Sequence, residues 1–271
     1  RWQSHSEVRF AHPNYVFEVH GRLPRQTFSG DEPILDSQNV LADSLDHLDV
    51  IRSPEAWSVT AGSSDVRIGV IDTGVYLDHP DLAGQFWVND AEDANGNGQF
   101  DPYPASEGGD LNGKDDDGNG YVDDVIGYDF VDRASSIDDG EFRERDPDPS
   151  ADPNQFFSWH GTAVAGVSSA APGTVEAGIA GVAPHARLVP LRAFGGDGRG
   201  RTDDIAAAIT YAADQGIDVL NLSFGRDRAV PLIEEAITYA IEQGTVVVAS
   251  AGNDLTDDPH YPSDYPDVVS V

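Results

Sequence analysis

Short, nearly continuous apolar runs recur along the chain, and each is typical of a buried strand. Helix start and stop signals lie between them, such as the N-cap serine of Ser53-Pro54 and the glycine that follows each helical segment. The predicted strands cover residues 66–71, 186–193, 217–222, 244–251 and 267–271, and the predicted helices residues 53–62, 159–166, 202–215 and 230–243. This alternation predicts a three-layer α/β/α fold with a mostly parallel sheet.

Three other stretches lack this alternation. Residues 1–20 contain a strand-like run, VRFAHPNYVFEV, and residues 21–50 are typical of a linker followed by irregular structure. The sequence GGDGRG at 195–200 predicts a flexible loop. Residues 89–152 are acidic and predict mainly loops.

Charge restricts the partners of this chain. Its 271 residues carry 48 acidic and 16 basic side chains, a net charge of −32, which disfavours nucleic acid and anionic lipid. No apolar run approaches the roughly 18 residues of a membrane span. Without cysteine, extra stabilisation must come from packing or from oxygen-ligated ions. Residues 89–153 hold 20 acidic and 4 basic residues, so half of the net charge has a local cause.

Candidate catalytic residues follow the predicted strands. A carboxylate at a buried strand end must be paired, so Asp72 either orients a histidine or caps the turn after it. His160 lies in the first turn of a predicted helix and is either a general base or a structural histidine. Asn253 follows a strand and either donates to a developing oxyanion or forms a turn. In a parallel sheet, ligands bind at these carboxyl ends.

The acidic segment contains two loops with the oxygen spacing of a calcium-binding EF-hand loop, with glycine at position 6. Neither loop has the glutamate of position 12. The alternative is a solvated acidic loop without an ion. The predicted ligands are Asp93, Asn95, Asn97 and Asp101 in the first loop, and Asp115, Asp117, Asn119, Tyr121 and Asp123 in the second.

Six motifs occur in an order that resembles the subtilisin-like serine proteases, or subtilases: IGVIDTGV, HGTAVAGVSSA, GIAGVAP, VLNLSFG, VVVASAGN and YPSDYPDVVSV. The resemblance implies a subtilisin-like fold and peptide-bond hydrolysis by an Asp/His/Ser triad. It makes Asp72 the triad aspartate, His160 the triad histidine and Asn253 the oxyanion-hole amide. The same resemblance implies two substrate-binding ledges and a pocket. One ledge is Ser223, Phe224 and Gly225, and the opposite ledge is Gly198, Arg199 and Gly200. The pocket is lined by Ser250, Ala251 and Gly252.

The family's nucleophile lies in a Gly-Thr-Ser-x-Ala motif beyond the YPSDYPDVVSV stretch, and the chain stops before it. We therefore expect an incomplete domain that is inactive by itself. Ser168, Ser169, Ser223 and Ser250 lack the flanking glycine of a nucleophile elbow. Ala163 stands where many members have a second, non-catalytic histidine.

The resemblance also divides the chain. Residues 1–24 are expected to be the end of an inhibitory propeptide, acting as an intramolecular inhibitor, and residues 25–271 the catalytic domain with an acidic insertion at about 89–153. A plain N-terminal extension is the alternative. We further expect secretion, a monomer, protein or peptide substrates, and structural calcium. Asp81 aligns with a calcium ligand of the family, although its partner loop at 173–178 lacks the usual asparagines.

Two rival functions remain at this point. The first is a non-catalytic subtilase relative that acts as a calcium-binding interaction module. The second is an unrelated α/β binding protein, in which Asp72 and His160 would lie too far apart for a hydrogen bond.

Overall fold

The computed structural model describes residues 16–19, 46–131, 145–152, 154–172 and 179–271. The strands, in chain order, are β1 Val16–Val19, β2 Arg67–Asp72, β3 Tyr128–Asp129, β4 Arg187–Arg192, β5 Arg199–Arg201, β6 Val219–Leu222, β7 Phe224–Gly225, β8 Val246–Ala249 and β9 Val269–Ser270. The helices are α1 Asp46–Val50, α2 Ser53–Trp57, α3 Trp159–Ser169, α4 Thr202–Asp214 and α5 Pro231–Glu242, and Ala105–Glu107 form a 3-10 turn.

The main sheet of the described residues has six strands in the order β3-β4-β2-β6-β8-β9, and every neighbouring pair is parallel. β2 lies near the centre, where its last four residues are buried. Strands covered on both faces are apolar throughout, which explains the continuous apolar runs. The predicted α/β fold with a mostly parallel sheet is confirmed.

Helices cover both faces of this sheet. On one face, α3 packs through Ala165 into a cluster with Val70 and Leu188. On the other face, α4 and α5 contribute Ile209 and Ile237 to a larger core. The two clusters bury opposite sides of the same strands, so the domain has three layers.

A second, smaller sheet lies outside the main one. β1 pairs antiparallel with β5 on one side and with β7 on the other. Part of the predicted flexible loop at 195–200 is therefore a strand. Its pairing partner β1 lies more than about 180 residues earlier in the sequence, so local composition does not reveal it.

Several boundaries differ from the prediction. Ser53 and Thr202 are the first residues of their helices rather than N-caps, and neither helix has a side-chain cap. Helix α2 ends at Trp57 instead of Gly62. After Trp57 the backbone N–H groups of residues 58 and 59 donate to carbonyls three residues earlier, which makes a tighter turn than an α-helix, and the Ser58 hydroxyl donates to the Glu55 carbonyl at 2.6 Å. Strand β3 was not predicted, since its two residues lie inside the acidic segment.

No helix among the described residues is long and apolar enough to cross a membrane.

Leu220 offers a test of the core. It is fully buried, and its Cδ1 lies 2.8 Å from the position that a Cβ atom on Gly69 would occupy. Leu220→Ala should leave a cavity and lower the free energy of unfolding by about 2–5 kcal/mol. The matched control is Leu255→Ala at a fully exposed position, which should change it by less than about 0.5 kcal/mol. Denaturant unfolding measures both, and equal effects would contradict the described core.

Candidate active site and cation site

The structure brings Asp72 and His160 together. His160 Nδ1 lies 2.8 Å from Asp72 Oδ1 and 2.9 Å from Oδ2. Both side chains are buried, and the Thr73 backbone N–H also donates to Asp72 Oδ1 at 2.7 Å. The carboxylate thus has the partners that its burial requires. This contact rules out the unrelated binding protein, which needed the two residues to be far apart.

Two glycines permit this contact. A Cβ on Gly161 would lie 2.2 Å from the Gly74 carbonyl and 3.1 Å from the Asp72 side chain, so only glycine lets α3 begin so close to the end of β2. Gly74 has φ +88°, and a side chain there would meet the carbonyls of residues 149 and 150. The Thr73 hydroxyl, which accepts from the Gly161 N–H at 3.2 Å, joins the two segments.

Asn253 lies beyond the carboxyl end of β8, on the same edge of the parallel sheet as Asp72. It is exposed. The predicted pocket residues precede it: Ser250 N–H donates to the Leu222 carbonyl at 3.2 Å, and Ala251 N–H to the Val271 carbonyl at 2.7 Å. Gly252 has φ +89° and leaves room for the His260 ring, which a Cβ there would approach to 3.0 Å.

The two predicted ledges face each other across β1. On one side Val19 is opposite Phe224 and Glu18 is opposite Gly225. On the other side the Val19 N–H donates to the Gly198 carbonyl at 3.0 Å, while Arg199 and Gly200 pair with Glu18 and Phe17. The remaining ledge residue, Ser223, accepts from the Asn221 side chain at 2.8 Å. Residues 16–19 therefore lie as an added strand between both ledges.

The side chains of β1 alternate between the core and solvent. Phe17 is fully buried, with its ring edge-to-face against Phe224 at 5.8 Å and the Arg226 guanidinium 5.4 Å from its centroid. Glu18 points outward, and its carboxylate lies 3.3 Å from Arg199 Nε. Phe17 is the buried anchor of this strand.

A cleft of about 830 Å³ runs beside β1, and its lining includes Arg199, Ala251, Asp254 and His260. Burial lowers the pKa of His260 below its usual value, and the charges of Asp264 and Asp254 oppose this only partly. The imidazole next to Gly252 is therefore neutral over more of the pH range than an exposed histidine.

In the first predicted calcium loop the oxygens are turned toward local donors. Asp93 accepts the backbone N–H groups of Gly96 and Gly98 at 2.8 and 2.7 Å. The Asn95 and Asn97 amides both donate to Asp101 Oδ2, at 3.0 and 2.6 Å. The loop is formed, with its four predicted residues grouped around one turn.

The second predicted loop is formed as well, but one ligand points elsewhere. Asp115 accepts from the backbone of residues 118–120, and the Asn119 amide donates to Asp117 Oδ2 at 3.1 Å. Asp123 faces a different turn, accepting from the N–H groups of residues 112 and 113. The Tyr121 ring packs into an aromatic cluster with Tyr128, Phe130 and Tyr211, so only its backbone could serve an ion.

Two acidic residues that the sequence did not single out lie beside this loop. Within the described part of the chain, one group of three carboxylates has oxygens within 4.8 Å of one another, from Glu92, Asp117 and Asp124. Burial raises the pKa of Asp124 to about 6, and burial with the charges of Asp124 and Asp117 raises that of Glu92. The adjacency of Asp124 to Asp123 was a weak signal, and Glu92 had none.

Asp81 packs against the segments that flank residues 173–178, which lie outside the described residues. Its carboxylate accepts from the Ile179 N–H at 3.2 Å, and its backbone carbonyl accepts from the Ala171 N–H at 2.8 Å.

Comparison with known proteins agrees with this geometry. The family model described as the Subtilase family, peptidase family S8, matches residues 63–271. The chain is 34% identical over 264 residues to the thermophilic serine proteinase of Bacillus sp. (strain AK1), covering 97% of this chain and 49% of that protein. It is 32% identical to thermitase of Thermoactinomyces vulgaris, covering 82% of this chain and 59% of that protein.

A solved structure of fervidolysin from Fervidobacterium pennivorans, a keratinolytic enzyme related to subtilisin, matches with 30% identity and a TM-score of 0.52, covering 80% of this chain and 25% of that chain. The chain spans about half the length of the two relatives named first, the thermophilic serine proteinase and thermitase. The relatives' names include both extracellular and intracellular serine proteases. With the family model matching most of the chain and a buried Asp–His pair where the motifs predict it, the chain belongs to the subtilase family of serine peptidases.

Proposed function

We propose that the whole protein is a serine endopeptidase and that this chain supplies two members of its triad. The observation that carries the proposal is the contact of His160 Nδ1 with both oxygens of Asp72. A buried carboxylate in that position holds the imidazole in one tautomer and stabilises the imidazolium that forms during acyl transfer. The strand seated between the two ledges supports an extended peptide as substrate.

In this mechanism His160 Nε2 takes the proton of a serine hydroxyl as the serine attacks the peptide carbonyl, and later returns it to the leaving amine. Asn253 donates to the oxyanion. The serine motif is not among the 271 residues, so we propose that this polypeptide alone does not hydrolyse peptide bonds. The residues of the pocket, Ser250, Ala251 and Gly252, bind the side chain before the scissile bond.

We further propose that residues 1–24 are the end of a propeptide that inhibits the enzyme from within. Support comes from β1, which pairs antiparallel with β5 and β7 at the two proposed ledges and buries Phe17. The catalytic domain then follows from residue 25. An enzyme of this kind would be a secreted monomer.

Calcium is proposed as a structural ion of the acidic segment, at the loops 93–101 and 115–123 and near Asp81. Its preferred ligands are carboxylate, amide and backbone oxygens. The loops offer these, and the buried Glu92 Oε2 and Asp124 Oδ1 beside the second loop have no hydrogen-bond partner. The donor set therefore fits a hard cation. The ion would hold turns together and take no part in the hydrolysis.

Labelling with a fluorophosphonate tests the peptidase proposal. Protein made from the complete reading frame should be labelled, and the 271-residue polypeptide should not. Absence of labelling in the complete protein would instead support the non-catalytic calcium-binding module.

Asp72→Asn tests the role of the pair. The amide keeps the shape of the side chain but favours the wrong imidazole tautomer, so kcat for a peptide substrate should fall by roughly 10⁴-fold in the complete protein. Asp78→Asn, the same change at an exposed position six residues on, should leave kcat unchanged. A loss below tenfold for Asp72→Asn would contradict the triad assignment.

Phe17 tests the substrate-like strand. A synthetic peptide of residues 14–20 should inhibit the complete enzyme competitively, and its Phe17→Ala form should bind roughly 10- to 100-fold more weakly, since the buried ring is lost. The control is Val16→Ala, at a partly exposed position. Inhibition that is noncompetitive, or equally strong without the ring, would place β1 outside the substrate cleft.

His260 gives a pH dependence. Its lowered pKa means that the unfolded chain binds more protons than the folded chain below about pH 6.5, so its contribution to stability decreases as the pH falls through that range. The NMR titration midpoint of its ring should lie below 6.5 in the folded protein and near 6.5 in urea. Asp254→Asn should lower the folded midpoint further, because that charge favours the imidazolium. A folded midpoint at or above 6.5 would show that burial is not dominant.

A further inference from the structure

The carboxylate group of Glu92, Asp117 and Asp124 is assembled from two separate parts of the acidic segment. Glu92 Oε1 accepts the backbone N–H groups of residues 116 and 117, at 2.6 and 3.0 Å. Asp117 Oδ2 accepts from the Asn89 side chain at 3.0 Å. These contacts fix the turn at 89–92 against the loop at 115–124.

In Glu92 and Asp124, one carboxylate oxygen accepts hydrogen bonds and the other has no hydrogen-bond partner. Asp124 Oδ2 accepts from the Tyr211 hydroxyl at 2.6 Å and from the Asn119 amide at 2.9 Å, whereas Asp124 Oδ1 has no partner. Glu92 Oε2 has none either. Glu92 is 1% exposed and Asp124 is 0% exposed, so water does not compensate for these oxygens in the way it would at a surface.

None of the ion pairs formed within the described ranges involves any of the three carboxylates. Three carboxylates whose oxygens lie within 4.8 Å repel one another, and the burial of Glu92 and Asp124 strengthens that repulsion, whereas Asp117 is exposed. Two buried oxygens without a hydrogen-bond donor, in a group of like charges, are what a bound cation would explain.

We propose that Glu92, Asp117 and Asp124 bind a calcium ion, at a position that the spacing of the second loop alone does not define. Glu92 supplies from outside the loop the carboxylate that an EF-hand places at position 12, and Asp124 takes the place predicted for Asp123. All three ligands are hard oxygen donors on loops, which suits the adaptable coordination of calcium better than the strict octahedron of magnesium. The inference rests on the proposed calcium binding of the acidic segment and is independent of the peptidase activity.

Glu92→Gln tests the proposal in the complete protein, because the change in melting temperature relative to the native protein should have opposite signs with and without calcium if Glu92 is a ligand. Glu92→Gln keeps an oxygen for the two backbone N–H groups but removes the charge. Without calcium it should therefore melt at the same temperature as the native chain or higher, because repulsion is relieved. With millimolar calcium it should melt lower than the native chain, because the stabilisation by the ion is lost. Asp124→Asn should show the same crossover.

The matched control is Asp90→Asn, the same loss of charge at an exposed residue two positions from Glu92. Its calcium-dependent rise in melting temperature should equal that of the native chain. Calorimetric titration of the native chain should show a calcium-binding event that weakens at least tenfold in Glu92→Gln.

Four outcomes would overturn the proposal. If Glu92→Gln is destabilised equally with and without calcium, the side chain is only structural. If Asp115→Asn abolishes the calcium shift while Glu92→Gln and Asp124→Asn retain it, calcium occupies the loop by its own ligands and this inference fails alone. If no variant changes because native melting does not respond to calcium, the calcium proposal fails as well. A larger shift with magnesium would refute the choice of ion.

Discussion

The structure depends on one buried contact, between the Asp72 carboxylate at the end of β2 and the His160 ring at the start of α3. A carboxylate in that place is tolerated only because the ring and the Thr73 N–H satisfy it. The contact in turn requires the bare backbone of Gly161, where any side chain would meet the Gly74 carbonyl. Sheet, turn and helix are therefore specified together. The Asp72–His160 pair is part of the fold itself, because the end of β2, the turn after it and the start of α3 must all lie within contact distance of one another.

The acidic segment poses the opposite electrostatic problem. At Asp72 a single charge has partners, whereas Glu92, Asp117 and Asp124 place three like charges together with two oxygens left over. Backbone N–H groups donate to Glu92 Oε1 and the Tyr211 hydroxyl donates to Asp124 Oδ2, which fixes these two carboxylates in position. Such preorganisation reduces the entropy cost of ordering the loop on binding.

The sequence predicted well what is encoded locally. Apolar runs located β2, β4, β6 and β8, and the motifs located Asp72 and His160, because each depends on a few adjacent residues. It failed where partners are distant. Arg199 to Arg201 have the composition of a loop and become a strand only by pairing with β1. Glu92 precedes the loop it serves by more than twenty residues, and no spacing rule connects the two. Asp123 fits the loop pattern, yet a nearby turn at residues 112 and 113 binds its carboxylate, which leaves Asp124 to face Glu92.

Helix α4 connects β5 to the carboxylate group. β5, the ledge that pairs with β1, runs directly into α4 at Thr202, and Tyr211 on the same helix donates to Asp124. Tyr211 is fully buried and packs edge-to-face on Tyr121, so the acidic loop contacts α4 directly. Burial and the charge of Asp124 raise the pKa of Tyr211 well above its usual value, which keeps its proton available for that hydrogen bond. The acidic loop therefore contacts the helix that continues β5, through packing on Tyr211 and one short hydrogen bond.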